Sequence, residues 1–64
     1  MKPTPRQEQV LRLLAEGYSI KEIGFKLGIS PKTAESHKTN GMERLNLKSR
    51  VDLITYALTV GWLE

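Results

Sequence analysis

The sequence predicts an all-α fold: a compact four-helix domain containing a helix-turn-helix. Three observations lead there. Apolar residues recur at helical spacing in four separate segments. Each segment opens on a Ser or Thr cap, followed by proline at the first helical position or by an amide or acid three residues on. The connections are two to four residues long, which suits helices packed as neighbours.

The first helix spans about residues 5–16. Thr4 caps it, Pro5 fits the first turn and Gln7 completes a capping box. Val10, Leu13, Leu14 and Gly17 share one face. Gly17 reads as a left-handed stop with Tyr18 packed back on the last turn. The second helix, about 20–27, starts on a Ser19–Glu22 box, places Ile20, Ile23 and Leu27 inward and stops at Gly28. Ile29 plugs the core, and Ser30-Pro31 opens the third helix, about 31–45.

The inward face of the third helix is Ala34, Gly41 and Leu45, with His37 or Lys38 between them. Its other side carries Lys32, Glu35, Ser36, Thr39, Asn40 and Glu43. Asn46 is a second left-handed stop, against which Leu47 packs back. Ser49 caps the fourth helix, about 50–60, with Asp52 at N3 and Gly61 as its end. This helix has two apolar stripes, Val51, Ile54 and Leu58 on one side and Leu53, Tyr56, Ala57 and Val60 on the other. One buried stripe suffices for a surface helix. The second must be covered by Trp62 and Leu63 or by a partner.

Composition narrows the function. Sixty-four residues hold one core, in a chain with no cysteine and one histidine, His37. Disulfides and thiolate metal sites are therefore excluded, and a reducing compartment is implied. No apolar run approaches a membrane span, and Met1-Lys2-Pro3 leads into no apolar stretch that would make a signal peptide. Net charge is +3. Residues 19–50 carry seven Lys and Arg against three Asp and Glu, whereas residues 51–64 carry two acids and no cation.

That positive region coincides with the helix-turn-helix. Gly24 lies mid-helix, Gly28 at the turn and Ala34 at the crossing, all small where two helices approach closely. Glycine inside a helix costs about 1 kcal/mol against alanine. The chain accepts this at Gly24 and Gly41. Lys21 and Lys32 occupy first turns, where a cation opposes the helix dipole. They are either solvated or placed for an anion. Adjacent Ser36 and His37 point about 100° apart and cannot form a nucleophile–base pair. Catalysis, a cofactor and a metal site are not expected, nor is membrane binding.

The motifs are Thr4-Pro5-Arg6-Gln7-Glu8, the run from Val10 to Gly17, Lys21-Glu22-Ile23, Leu27-Gly28-Ile29-Ser30, Lys32-Thr33, His37, Met42, Leu45 and Ser49-Arg50. In these the chain resembles the LuxR/FixJ-type DNA-binding domain, found at the C-terminus of many bacterial response regulators and quorum-sensing receptors. The resemblance covers nearly all 64 residues. It implies a cytoplasmic bacterial transcription regulator whose third helix reads the major groove of double-stranded DNA and whose fourth helix forms a homodimer. Base contacts would fall on Glu35, Ser36 and Thr39, with Asn40 near base edges. Lys21, Lys32, Thr33 and Lys38 would meet phosphates.

Under the resemblance, the stripe Leu53, Tyr56, Ala57 and Val60 becomes a two-fold contact, so Leu53→Asp should separate dimers without unfolding the chain. The chain would be a fragment of a protein with an N-terminal receiver or ligand-binding domain, and RNA polymerase is a further expected contact. The competing reading is a protein-interaction module that docks a receiver domain or polymerase through the same surfaces. Three positions depart from the family pattern. Ala34 thins the core, Gly41 loosens the third helix and Gly24 is smaller than usual; together they predict a marginally stable monomer that gains from dimerisation or from DNA. Glu35 reads either as an acceptor for cytosine N4 or as a bystander.

Overall fold

The computed structural model describes residues 2–63. The predicted domain limits reach Met1 and Glu64, which lie outside the described residues. Four helices follow in order: α1 (Pro5–Ala15), α2 (Ile20–Leu27), α3 (Pro31–Arg44) and α4 (Arg50–Thr59). Three of them stop one residue before the predicted end. Glu16, Leu45 and Val60 act as C-caps, the backbone N–H of each bonding back into the last turn.

The helix starts are local and self-satisfied. In α1 the Gln7 N–H donates to Thr4 Oγ1 at 3.1 Å and the Thr4 N–H donates to Gln7 Oε1 at 2.9 Å. In α2 the Glu22 N–H donates to Ser19 Oγ at 3.1 Å and the Ser19 N–H to Glu22 Oε1 at 2.8 Å. Each pair satisfies donors that a helix start leaves open. At α4 the second half differs from a closed box. Asp52 accepts from the Lys48 N–H at 2.8 Å, one residue upstream of the Ser49 cap. The shorter carboxylate reaches the incoming strand of chain instead of the cap itself.

Left-handed residues close the turns. Gly28 has φ 68°, and Asn46, the one non-glycine with positive φ among the described residues, has φ 57°. After each stop the next amide reaches back, Ile29 to Gly24 O at 2.9 Å and Leu47 to Met42 O at 2.8 Å, as Tyr18 does to Leu13 O at 3.1 Å after Gly17. That is the bonding that satisfies the last carbonyls of a helix.

Helix α3 crosses α1 and α2, and α4 packs on α1. The core is Val10, Leu11, Leu14, Ala15, Ile23, Ala34, Leu53 and Ala57. Helix α1 serves three neighbours, so its buried face is wider than the Val10–Leu13–Leu14–Gly17 line. Leu11 is fully buried and Gln7 nearly so, whereas Leu13 is half-buried and Gly17 exposed.

Glycine and alanine at the crossings draw the helices together. A Cβ on Gly24 would sit 2.8 Å from Ile29 O. A Cβ on Gly41 would meet Leu11 Cδ1 at 3.0 Å and Gln7 Cβ at 3.2 Å. The expectation that Gly41 loosens α3 is thereby corrected. Leu11 and Gln7 of helix α1 fill the space, leaving close contact and not a void.

The assignment of α4 faces is also corrected. Leu53 and Ala57 are 3% and 0% exposed and belong to the core. Tyr56 is half-buried, with Trp62 folded edge-on against it at a ring distance of 5.4 Å. The Trp62 N–H bonds Ala57 O at 2.8 Å and fixes that fold-back. Of the four residues assigned to a dimer contact, Val60 alone is exposed. The outward stripe is the other one, with Val51 73% and Leu58 54% exposed beside half-buried Ile54.

Candidate nucleic-acid interface

Helix α3 has the polar side that its sequence pattern predicts. Lys32, Thr33, Glu35, Ser36, Thr39, Asn40 and Glu43 are all exposed. Ala34 and Gly41 point the other way and are buried. No large apolar side chain is exposed on α3; those among the described residues are Phe25, Val51, Leu58 and Val60. The four residues expected at base edges thus share the solvent side of one helix. Asn40 lies toward one flank, near Thr33, while Glu35 lies toward the other, near Lys38.

The first turn of α3 is electrostatically incomplete. Helices α1, α2 and α4 each carry an acid in the first turn, Glu8, Glu22 and Asp52, which complements the positive end of the dipole. Helix α3 has none there and carries Lys32 instead. Its cap is neutral. Ser30 Oγ accepts from the Thr33 N–H at 3.0 Å and donates to Thr33 Oγ1 at 2.9 Å. The Thr33 hydroxyl proton is then free to donate outward.

The four expected phosphate-binding side chains are not equivalent. Lys21 and Lys32 are exposed and form no ion pair within 4 Å among the described residues. Lys38 is half-buried, and its Nζ lies 3.3 Å from Glu35 Oε2. A proposed base reader and a proposed phosphate binder therefore hold each other in the free protein.

An open groove runs between α3 and the start of α4. Lys38, Thr39 and Glu43 line it from α3, with Lys48, Ser49 and Arg50 opposite and Leu14, Met42 and Leu53 beneath. Lys48 and Arg50 are exposed cations without an ion pair among the described residues. Neither is among the phosphate-binding residues expected from the sequence. The signal was available, because Arg50 is a first-turn cation of the same kind as Lys21 and Lys32. Phe25, 90% exposed on α2, was likewise not singled out.

This arrangement matches a known family across most of the chain. The model for bacterial regulatory proteins, luxR family, matches residues 3–57. The chain belongs to the luxR family. Oxygen regulatory protein NreC of Staphylococcus carnosus is 53% identical over 59 residues, covering 92% of this chain and 27% of that protein. Proteins of the same name from Staphylococcus epidermidis and Staphylococcus aureus are 49% identical over 59 residues. The chain spans about a quarter of the length of these relatives. No solved structure matches it significantly. As a luxR-family member the chain is a DNA-binding helix-turn-helix of transcription regulation. Among the described residues, no helix is long and apolar enough to cross a membrane.

Proposed function

We propose that this domain binds double-stranded DNA sequence-specifically, with α3 in the major groove. The observation that carries the reading is α3 itself. Its outward face is wholly polar, and its first turn pairs an uncompensated dipole with unpaired Lys32. A major groove supplies base-edge hydrogen-bond partners for such a face, and phosphates on its rims supply the missing anions. Glu35, Ser36, Thr39 and Asn40 read bases. Lys21, Lys32, Thr33 and Lys38 meet phosphates, and Lys48 and Arg50 extend that line along the groove beside α4.

Two copies pair on a two-fold site through α4. The surface used is the exposed stripe of Val51, Ile54 and Leu58, not buried Leu53 and Ala57. The relatives' name and length support a wider reading. The domain serves a bacterial, cytoplasmic response regulator, with a signal-receiving domain elsewhere in the protein and RNA polymerase as a further contact. The domain itself performs no catalysis. The protein-interaction alternative has one observation in its favour, Phe25 on α2, whose apolar side chain is exposed.

Binding to random duplex DNA as a function of salt separates the two readings. A phosphate-binding domain loses affinity steeply as salt rises, because each neutralised phosphate releases counterions. A flat response, or no binding at low salt, rejects the DNA reading.

A further inference from the structure

We propose that the Glu35–Lys38 pair is a specificity gate: Glu35 occupies Lys38 until a DNA site offers the carboxylate a hydrogen-bond donor of its own. The inference rests on the DNA-binding reading above and adds to it how correct and incorrect sites are told apart.

The pair spans one turn of α3, with 3.3 Å between Lys38 Nζ and Glu35 Oε2. Residues three apart on a helix are neighbours, so the contact needs no other element to form it. Its position is what gives it consequence. Among the cations beside the α3 face and its groove, Lys21, Lys32, Lys48 and Arg50 form no ion pair among the described residues, while Lys38 does. Lys38 and Thr39 line the groove opposite Lys48 and Arg50, so a phosphate approaching there meets two unengaged cations and one already held. Glu35 is in effect an internal competitor for the phosphate.

An arbitrary duplex then faces two penalties at this flank. Lys38 remains neutralised, and the Glu35 charge opposes the approaching backbone. A site that places a cytosine in front of Glu35 removes both, because its N4 amino group donates to the carboxylate. Lys38 is released to a phosphate or to a guanine edge. The exposure of both side chains, 37% for Lys38 and 51% for Glu35, keeps the exchange easily reversible. A buried pair would not open for a base contact, since separating buried charges is strongly unfavourable.

The test measures the affinity of the chain, Glu35→Gln, Lys38→Met and the double variant for random duplex and for a duplex selected from a random library. The salt slope is measured for each. Wild type must bind random duplex at low salt with a negative slope. If it does not, the DNA-binding reading fails before the gate is tested. For the gate, Glu35→Gln should tighten random-duplex binding about tenfold. It should also steepen the slope of log K against log salt by about 0.9, one added phosphate contact. The preference for the selected duplex should fall by a similar factor, and the selected base opposite position 35 should cease to be cytosine. In the Lys38→Met background the same substitution should leave the slope unchanged. An equal gain in both backgrounds would mean simple charge repulsion and would overturn the gate. So would no gain in either background. Circular dichroism of each variant should match wild type, because neither side chain contributes to the core.

Discussion

At the scale of single residues, α1 and α2 use the same device with different chemistry. Gln7 closes the box at α1 and Glu22 the box at α2. The carboxyl of Glu22 is held below its ordinary range. The main cause is the Ser19 backbone N–H, then the Ser19 side chain, with desolvation opposing and a still smaller pull from Lys26. A lowered folded value means that the stabilisation is complete above the ordinary glutamate range and is lost as pH falls through the lowered value. Acidification from above the ordinary glutamate range down through the lowered value should therefore reduce the melting temperature in part through α2. Glu22→Gln copies the α1 box and removes this titration. Its fall over the same interval should be smaller than that of wild type in parallel melts, and an equal fall would refute the assignment.

Lys32 belongs to the same scale. It is exposed, unpaired and placed against the dipole of its own helix. Lys32→Ala should leave stability within about 0.5 kcal/mol of wild type, as surface changes do. Affinity should weaken for every duplex alike, with the salt slope shallower by about 0.9. A change confined to sequence preference would move Lys32 from phosphate to base.

At the scale of elements, the α2–α3 turn shows what backbone approach requires. Alanine at position 24 would recover about 1 kcal/mol of helix propensity. Its Cβ, however, would stand 2.8 Å from Ile29 O and 3.4 Å from Pro31 N, both backbone atoms that cannot rotate away. The turn must shift, and α3 with it. Gly24→Ala should lower the urea midpoint despite the better helix former, and a raised midpoint would show that the turn yields freely.

The same scale separates what was legible in the sequence from what was not. Caps and stops are decided within three or four residues, so the caps Thr4, Ser19, Ser30 and Ser49 announce the four helices, and Gly28 and Asn46 their turns. The polar side of α3 was equally plain, because alanine and glycine sit opposite it. The Glu35–Lys38 contact could have been read from its spacing of three. The faces of α4 could not. Both its stripes are apolar, and the choice depends on which one fits the surface that α1 presents. Leu53 and Ala57, a large and a small side chain one turn apart, make that fit. Gly41 was misread for a related reason. Its small size describes a position, but only the approach of Leu11 and Gln7 shows whether the space is empty or filled.

At the scale of the whole molecule, 28 × 24 × 19 Å across, the proposed reading surface and the proposed pairing surface lie on different helices. They can therefore be altered separately. A domain of this size seldom retains more than about 3–5 kcal/mol of net stability. Losing one buried leucine to alanine costs about 2–5 kcal/mol. Leu53, 3% exposed, is thus a test of folding and not of pairing. Leu53→Asp should unfold the chain.

Leu58→Asp and Val51→Asp act on the outward stripe, where the side chains are 54% and 73% exposed and little packing is lost. Apart from Arg50 and Asp52 in its first turn, helix α4 has no charged residue, and its exposed Thr55 and Thr59 are neutral. A two-fold contact sets a surface against its own copy, so a neutral apolar stripe meets itself without like-charge repulsion. One aspartate there places two carboxylates across the axis. Each variant should keep the wild-type melt yet lose self-association in sedimentation, and should bind paired half-sites no more tightly than two independent copies would. Cooperative binding that survives both substitutions would remove α4 as the pairing surface, while leaving the assignment of α3 intact.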